Sequence, residues 1–256
     1  MTNTGSTDDV SKTRRLVRFR NSKESNTPLR KFFKNPIVAF IVDILGIVLT
    51  ALVLSLIIKA FLIRSFFIPS GSMLNTLQIN DRIIVNELVP NVVPIERGDV
   101  VVFRDPGGWL GPVETKPVPW FTQAADWVLS SFGITAPDSD VHLVKRVIGI
   151  AGDHVVCCSA NHKIMVNGVE LTEPYIKKGE VPSAQEFDVI VPADSIWVMG
   201  DNRGNSEDSR FHGDLPSKGF VNKKFIVGRA FLITFPFPHF GWLDNYSSVF
   251  KNVPNP

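Results

Sequence analysis

The apolar positions of this chain follow two patterns. From residue 37 to 63 they form one run of about 27 residues, interrupted only by Asp43, Gly46, Thr50, Ser55 and Lys59. As a helix that run is about 40 Å long, contains no proline and offers no polar face, so it predicts a bilayer-spanning segment over 36–63. From residue 64 the pattern breaks into short β-branched runs at 82–85, 99–103, 141–148, 154–156, 163–166, 187–191, 195–199 and 225–233, separated by Gly, Pro, Asn and Asp. That spacing predicts a mainly β, antiparallel domain over 64–235, with a tight hairpin at Asn167-Gly168. An insertion at about 106–140 interrupts it, with a short helix expected near 120–132. A polar, basic and flexible arm over 1–35 and an aromatic, proline-rich tail over 236–256 complete the organisation.

Charge sharpens the picture at one place. The chain carries 27 Lys and Arg against 25 Asp and Glu, which leaves no whole-chain footprint for nucleic acid. Yet Lys12, Arg14, Arg15, Arg18, Arg20, Lys23, Arg30, Lys31 and Lys34 all precede the apolar run. A basic arm suits nucleic acid or membrane topology. Beside a membrane-length segment it favours topology, with the N-terminus in the cytoplasm and everything after residue 63 outside. Asp43 and Lys59 lie near the two ends of the run, where they reach the headgroups. The run leads into the bulky Arg64-Ser65-Phe66-Phe67-Ile68-Pro69 rather than a small-residue cleavage site, so it reads as an anchor and not as a cleaved leader. Trp109, Trp120, Phe121, Trp127 and Phe132 of the insertion, and Phe235, Phe237, Phe240 and Trp242 near the tail, either pack on the domain or rest in the bilayer interface.

Metal and cofactor chemistry are not expected. Cys157 and Cys158 are the only cysteines, too few for a thiolate zinc site. Across a trans peptide their Cα atoms sit ~3.8 Å apart, below the usual disulfide range. The expectation is two small apolar side chains in a strand and no bridge. The five histidines show no metal-binding spacing.

Three polar stretches remain. Ser72 lies in Pro69-Ser70-Gly71-Ser72-Met73, about nine residues after the apolar run. Such a stretch makes a plain turn, or holds a serine with its hydroxyl exposed. A serine nucleophile also needs a base, and no histidine stands in a Ser-His-Asp context. The candidate is Lys145, inside the β-branched Val144-Lys145-Arg146-Val147-Ile148-Gly149. On an alternating strand it faces water; as a base it must be buried and neutral. Lowering its pKa from ~10.4 toward ~8 costs about 3 kcal/mol, which an apolar site can supply. The third stretch runs from Gly200-Asp201-Asn202-Arg203 to Asp208-Ser209-Arg210. It is too long for a simple turn and reads as a loop held by its own ion pairs.

In this order behind one anchor, the sequence resembles the bacterial type I signal peptidases, the leader peptidase family. Ser70-Gly71-Ser72-Met73 with Thr76-Leu77 matches the first family box. Arg97-Gly98-Asp99 and the following strand resemble the second, Lys145-Arg146-Val147-Ile148-Gly149 with Gly152-Asp153 the lysine box, and Gly200 to Arg210 the last. The resemblance implies Ser72 as nucleophile and Lys145 as general base. It implies the Ser72 N–H and the Ser70 hydroxyl as the oxyanion hole, and Ser206 hydrogen-bonded to Lys145. Arg146, Asp201, Asp208 and Arg210 are implied as structural supports. Phe66, Ile68, Met73, Leu77, Ile83, Leu143 and Val144 are implied to line shallow apolar pockets for small residues. Substrates would be signal peptides of secreted preproteins, ending in Ala-x-Ala. The expected location is the bacterial cell membrane, and the expected partners are those peptides and the lipid bilayer, with no nucleic acid. The sequence specifies no oligomeric state. It departs from the family pattern at Asn75 and Ala151, where many members have Pro, and at Gly204, where Asp is common. Two other readings fit parts of the pattern: a self-cleaving Ser/Lys repressor-type protease, and an extracytoplasmic scaffold with an incidental Ser72 and Lys145.

Overall fold

In the computed structural model of the chain, residues 36–111 and 141–256 are described, those of 56–61 for their backbone only. The basic arm, the helix expected near 120–132 and the Lys59 side chain lie outside the described residues. The chain divides into two units, residues 1–51 and 52–256.

Helix α1 spans Pro36–Phe61. Among the described residues it is the one helix long and apolar enough to cross a membrane. It stops short of residue 63 because Ile63 is already a strand residue, paired with Asn86. The strands are β1 (Ile63–Phe67), β2 (Arg82–Asn86), β3 (Val100–Arg104), β4 (His142–Gly149), β5 (His154–Cys157) and β6 (Ile164–Val166). They continue with β7 (Val169–Glu170), β8 (Phe187–Ile190), β9 (Ser195–Met199), β10 (Val221–Asn222), β11 (Ile226–Phe235) and β12 (Gly241–Trp242). The larger sheet has the order β1-β2-β11-β3-β4-β9-β10 with β12 alongside β11, and the smaller sheet the order β7-β6-β5-β8. The pairs are antiparallel throughout. The mainly β expectation therefore holds.

The order matters more than the strand count. The β1–β2 connection carries Ser72 and β4 carries Lys145, and β11 lies between β2 and β3 to join those two halves. In the smaller sheet, Asn167 and Gly168 both take positive φ (50° and 79°) at the β6–β7 turn, the geometry expected of an Asn-Gly hairpin.

Two expectations are corrected here. Cys157 and Cys158 are joined as a disulfide across a cis peptide, with Cα atoms 2.9 Å apart; the expectation of no bridge assumed the trans spacing. The tail after residue 235 is part of the domain. Gly241 and Trp242 pair with β11, and Phe250 and Val253 are buried against Ile148, Val155 and Trp197. The Pro254 carbonyl accepts hydrogen bonds from Arg97 and Asn167. Truncating a buried Phe to Ala leaves a cavity and costs ~3–5 kcal/mol. Phe250→Ala should therefore lower the midpoint of urea unfolding of the detergent-solubilised chain by a corresponding amount. An unchanged midpoint would show that the tail adds nothing to the core.

Candidate active site

Consecutive strand residues face opposite sides of a sheet, so Lys145 and Arg146 leave β4 in opposite directions. Lys145 Nζ donates a hydrogen bond to Ser72 Oγ at 2.8 Å. The lysine is only 3% exposed. Burial pushes its pKa down from 10.5 to about 8, against the opposing negative charges of Asp208 and Glu207, with Arg210 adding a push downward. Ser70 Oγ lies 3.4 Å from Ser72 Oγ. The described geometry thus brings together an activated-type hydroxyl, an amine near its neutral range and a second hydroxyl.

The serine loop is held by the loop after β9. Asn202 N donates to the Ser72 carbonyl at 3.1 Å, and Asn202 Nδ2 donates to the Gly71 carbonyl at 2.8 Å. This approach needs Gly200. A Cβ there would overlap Ser206 Oγ and fall 2.5 Å from the Ser72 carbonyl oxygen.

Arg146, on the other side of β4, is wholly buried. Its Nε and Nη2 donate to the two Asp201 carboxylate oxygens at 2.9 and 2.7 Å, and Nη1 to the Gly98 and Asp244 carbonyls. Nη2 also reaches Thr76 Oγ1, which itself bonds Asp201. Tyr175 and Tyr246 lie over the guanidinium. Asp208 accepts from Arg210, from the Gly200 N–H and from Ser206 Oγ. Ser206 therefore differs from expectation. Its hydroxyl proton goes to Asp208 Oδ2 at 2.8 Å rather than toward Lys145. A further pair, Arg203 with Glu173, was not foreseen and closes the same loop from behind.

A cleft of about 180 Å³ opens beside Ser72 and Lys145. Of the expected pocket residues, Phe66, Ile68, Met73, Leu143 and Val144 line it. Leu77 and Ile83 do not; both are fully buried in the same apolar cluster as Phe66 and Met73, Leu77 from the β1–β2 connection and Ile83 from β2. His142 and Leu110 line the cleft and escaped the sequence pattern. The signal for Leu110 was an apolar Trp-Leu pair directly after the Asp105-Pro106-Gly107-Gly108 turn. Trp109 is buried, edge-on to Phe103 and stacked on His212, so of its two readings the one found is packing on the domain. Trp120 and Trp127 lie outside the described residues.

Two of the three departures from the family pattern have local causes. Asn75 takes φ 89°, a left-handed conformation closed to proline and tolerated by Asn. At Gly204 a Cβ would strike the Glu180 carboxylate, so an acidic residue there would meet a like charge. Nothing in the structure explains Ala151.

Residues 41–235 match the family described as signal peptidase, peptidase S26. The chain belongs to this family. Signal peptidase I of Mycobacterium tuberculosis is 39% identical to this peptidase S26 chain over 190 residues, covering 66% of this chain and 63% of the relative. The chain thus spans less than two thirds of that relative's length. Probable signal peptidase I-1 of Synechocystis is 31% identical over 211 residues, covering 82% and 90%, and signal peptidase I S of Bacillus subtilis 31% over 175 residues, covering 65% and 73%. The peptidase S26 match encloses all four sequence boxes and every residue of the cleft.

The buried lysine has a measurable stability signature. In the folded chain it loses its proton at about 8 and in the unfolded chain at about 10.5, so between these values only the unfolded chain holds the proton and stability rises with pH. Below pH 8 the folded state carries the full cost, about 3 kcal/mol. Lys145→Met should therefore be more stable than the unsubstituted chain at pH 7, with the gap narrowing toward pH 10, as read by urea unfolding. A gap that is absent, or equal at both pH values, would contradict a lysine buried in this state.

Proposed function

We propose that the chain is a membrane-bound serine endopeptidase, a type I signal peptidase, which removes N-terminal signal peptides from secreted preproteins after Ala-x-Ala. The observation that carries this is the 2.8 Å contact between the buried Lys145 Nζ and Ser72 Oγ. With a pKa of about 8, roughly one lysine in ten is neutral at pH 7. The neutral amine takes the Ser72 proton as Oγ attacks the scissile carbonyl, and the ammonium then gives a proton to the departing amine. The acyl-enzyme is released by water through the same base. The Ser72 N–H and the Ser70 hydroxyl, 3.4 Å from Ser72 Oγ, stabilise the negative oxygen. The shallow apolar cleft admits small side chains and excludes large ones.

The anchor serves the chemistry as well as the location. With the N-terminus in the cytoplasm, Ser72 follows the apolar run by about nine residues and stays near the outer face of the cell membrane. A preprotein arrives with its own apolar helix in the same bilayer, and confinement raises the effective concentration of both partners. Phe237, Phe240 and Trp242 are exposed near the end of β11, and Trp242 stacks with Phe231, which supports a second contact with lipid. In the reconstituted chain, brominated lipid should quench Trp242 fluorescence, and Trp242→Phe should remove that component. Quenching that is the same with and without Trp242 would rule the contact out.

The function itself is tested with purified chain, an Ala-x-Ala preprotein and mass measurement of the products. Ser72→Ala and Lys145→Ala should each abolish the cut, and kcat/KM of the unsubstituted chain should rise with pH to half its plateau near pH 8, where the lysine loses its proton. Full activity in either variant sinks the Ser/Lys assignment.

A further inference from the structure

The cleft is built from two expected stretches and one unexpected residue. Every lining residue except Leu110 comes from 66–73 or 142–145. Leu110 comes from the segment after β3, and its position is fixed from both sides. Asp105 Oδ1 accepts from the Gly107 and Trp109 N–H groups at 2.8 and 2.9 Å, and Oδ2 from the Leu110 N–H at 3.1 Å. Trp109, 4% exposed, is clamped between Phe103 and the ring of His212, whose centroid lies 4.2 Å away with an interplanar angle of 7°. His212 in turn bonds the Asp208 carbonyl through Nδ1 at 2.8 Å. The turn that carries Leu110 is thus tied to the loop that shapes the candidate base.

The register gives the residue its place along the cleft. Val101 pairs with Lys145 and Arg104 with His142, so the His142 end lies three residues from the lysine, about 10 Å along β4. His142 packs on Phe66 with ring centroids 5.1 Å apart, and Leu110 lines the same cleft. A peptide in extended conformation rises about 3.3 Å per residue and shows alternate side chains to one face. If its residue at the cut stands beside Ser72, the third residue before the cut is about 7 Å further on, toward His142.

We propose that Leu110 closes the far end of this cleft and limits the size of the side chain at the third position before the cut. The assignment rests on the signal peptidase reading above. Each methylene of mismatch in such a pocket changes selectivity by about 10-fold or more.

The test uses the full chain in detergent and a peptide series with Ala, Val, Leu or Phe at the third position before the cut and Ala at the cut. Leu110→Ala should raise kcat/KM for Leu relative to Ala at that position by about tenfold or more, and Leu110→Phe should lower Val relative to Ala by a similar factor. Using both variants keeps the test decisive where one of them fails to fold. Ratios that stay within about twofold of the unsubstituted chain in the variants that fold overturn the role of Leu110. If the unsubstituted chain cuts none of the series, nor an Ala-x-Ala preprotein, the signal peptidase reading falls, and the role of Leu110 with it.

Discussion

One amine, almost wholly out of water and 2.8 Å from a serine hydroxyl, sets the terms for everything around it. Desolvation favours its neutral form, while a nearby carboxylate favours its charged form. The site must therefore be dry without leaving bare negative charge beside the lysine. Asp208 is shared with Arg210 and with the Ser206 hydroxyl, and Asp201 is taken by both edges of the Arg146 guanidinium. Asp208 and Asp201 are each committed to an arginine, which blunts their pull on the lysine, and Glu207, the other acid that opposes the shift, is exposed to solvent. Desolvation then wins, and the pKa falls.

The same pairs explain why the loops meet so closely. All five N–H groups of the Arg146 guanidinium have acceptors: both Asp201 oxygens, two backbone carbonyls and Thr76 Oγ1. Burying an ion pair adds little net stability over a well-packed apolar substitute, but removing one partner strands the other at a cost of ~3–5 kcal/mol. Here the pair links four chain segments, those of Gly98, Thr76, Asp201 and Asp244. Its use is geometric. It fixes where the loop after β9 meets the serine loop, and so where the Ser72 oxygen stands.

Much of this was legible in the residues. The alternation and β-branched content of 82–85, 99–103 and 195–199 were enough to mark strands, and Lys145 stood out because an apolar strand otherwise has no use for a charge. Strand β1 was hidden because its first residue, Ile63, ends the apolar run and Arg64 and Ser65 break any alternation after it. Strands β7, β10 and β12, two residues each, carry no periodicity to detect. Whether an apolar strand residue lines a pocket or fills the core depends on register, which composition does not encode; Leu143 went one way and Ile83 the other. Phe250 and Val253 sit among mostly polar neighbours in sequence, and the core they enter is made by residues of both sheets, Ile148 and Trp197 with Val155 among them. The hydroxyl of Ser206 was placed by analogy, and the carboxylate of Asp208 proved the better acceptor.

The position of β11 has a temporal consequence. The hairpin holding Ser72 and the strand holding Lys145 have no direct ladder between them; the strand that bridges them is synthesised more than eighty residues after the lysine. Pairings across such long separations form slowly. As the polypeptide is made, Ser72 and Lys145 are both present well before they share a continuous sheet. A nascent molecule therefore passes through a stage in which the serine and the lysine are not yet held together.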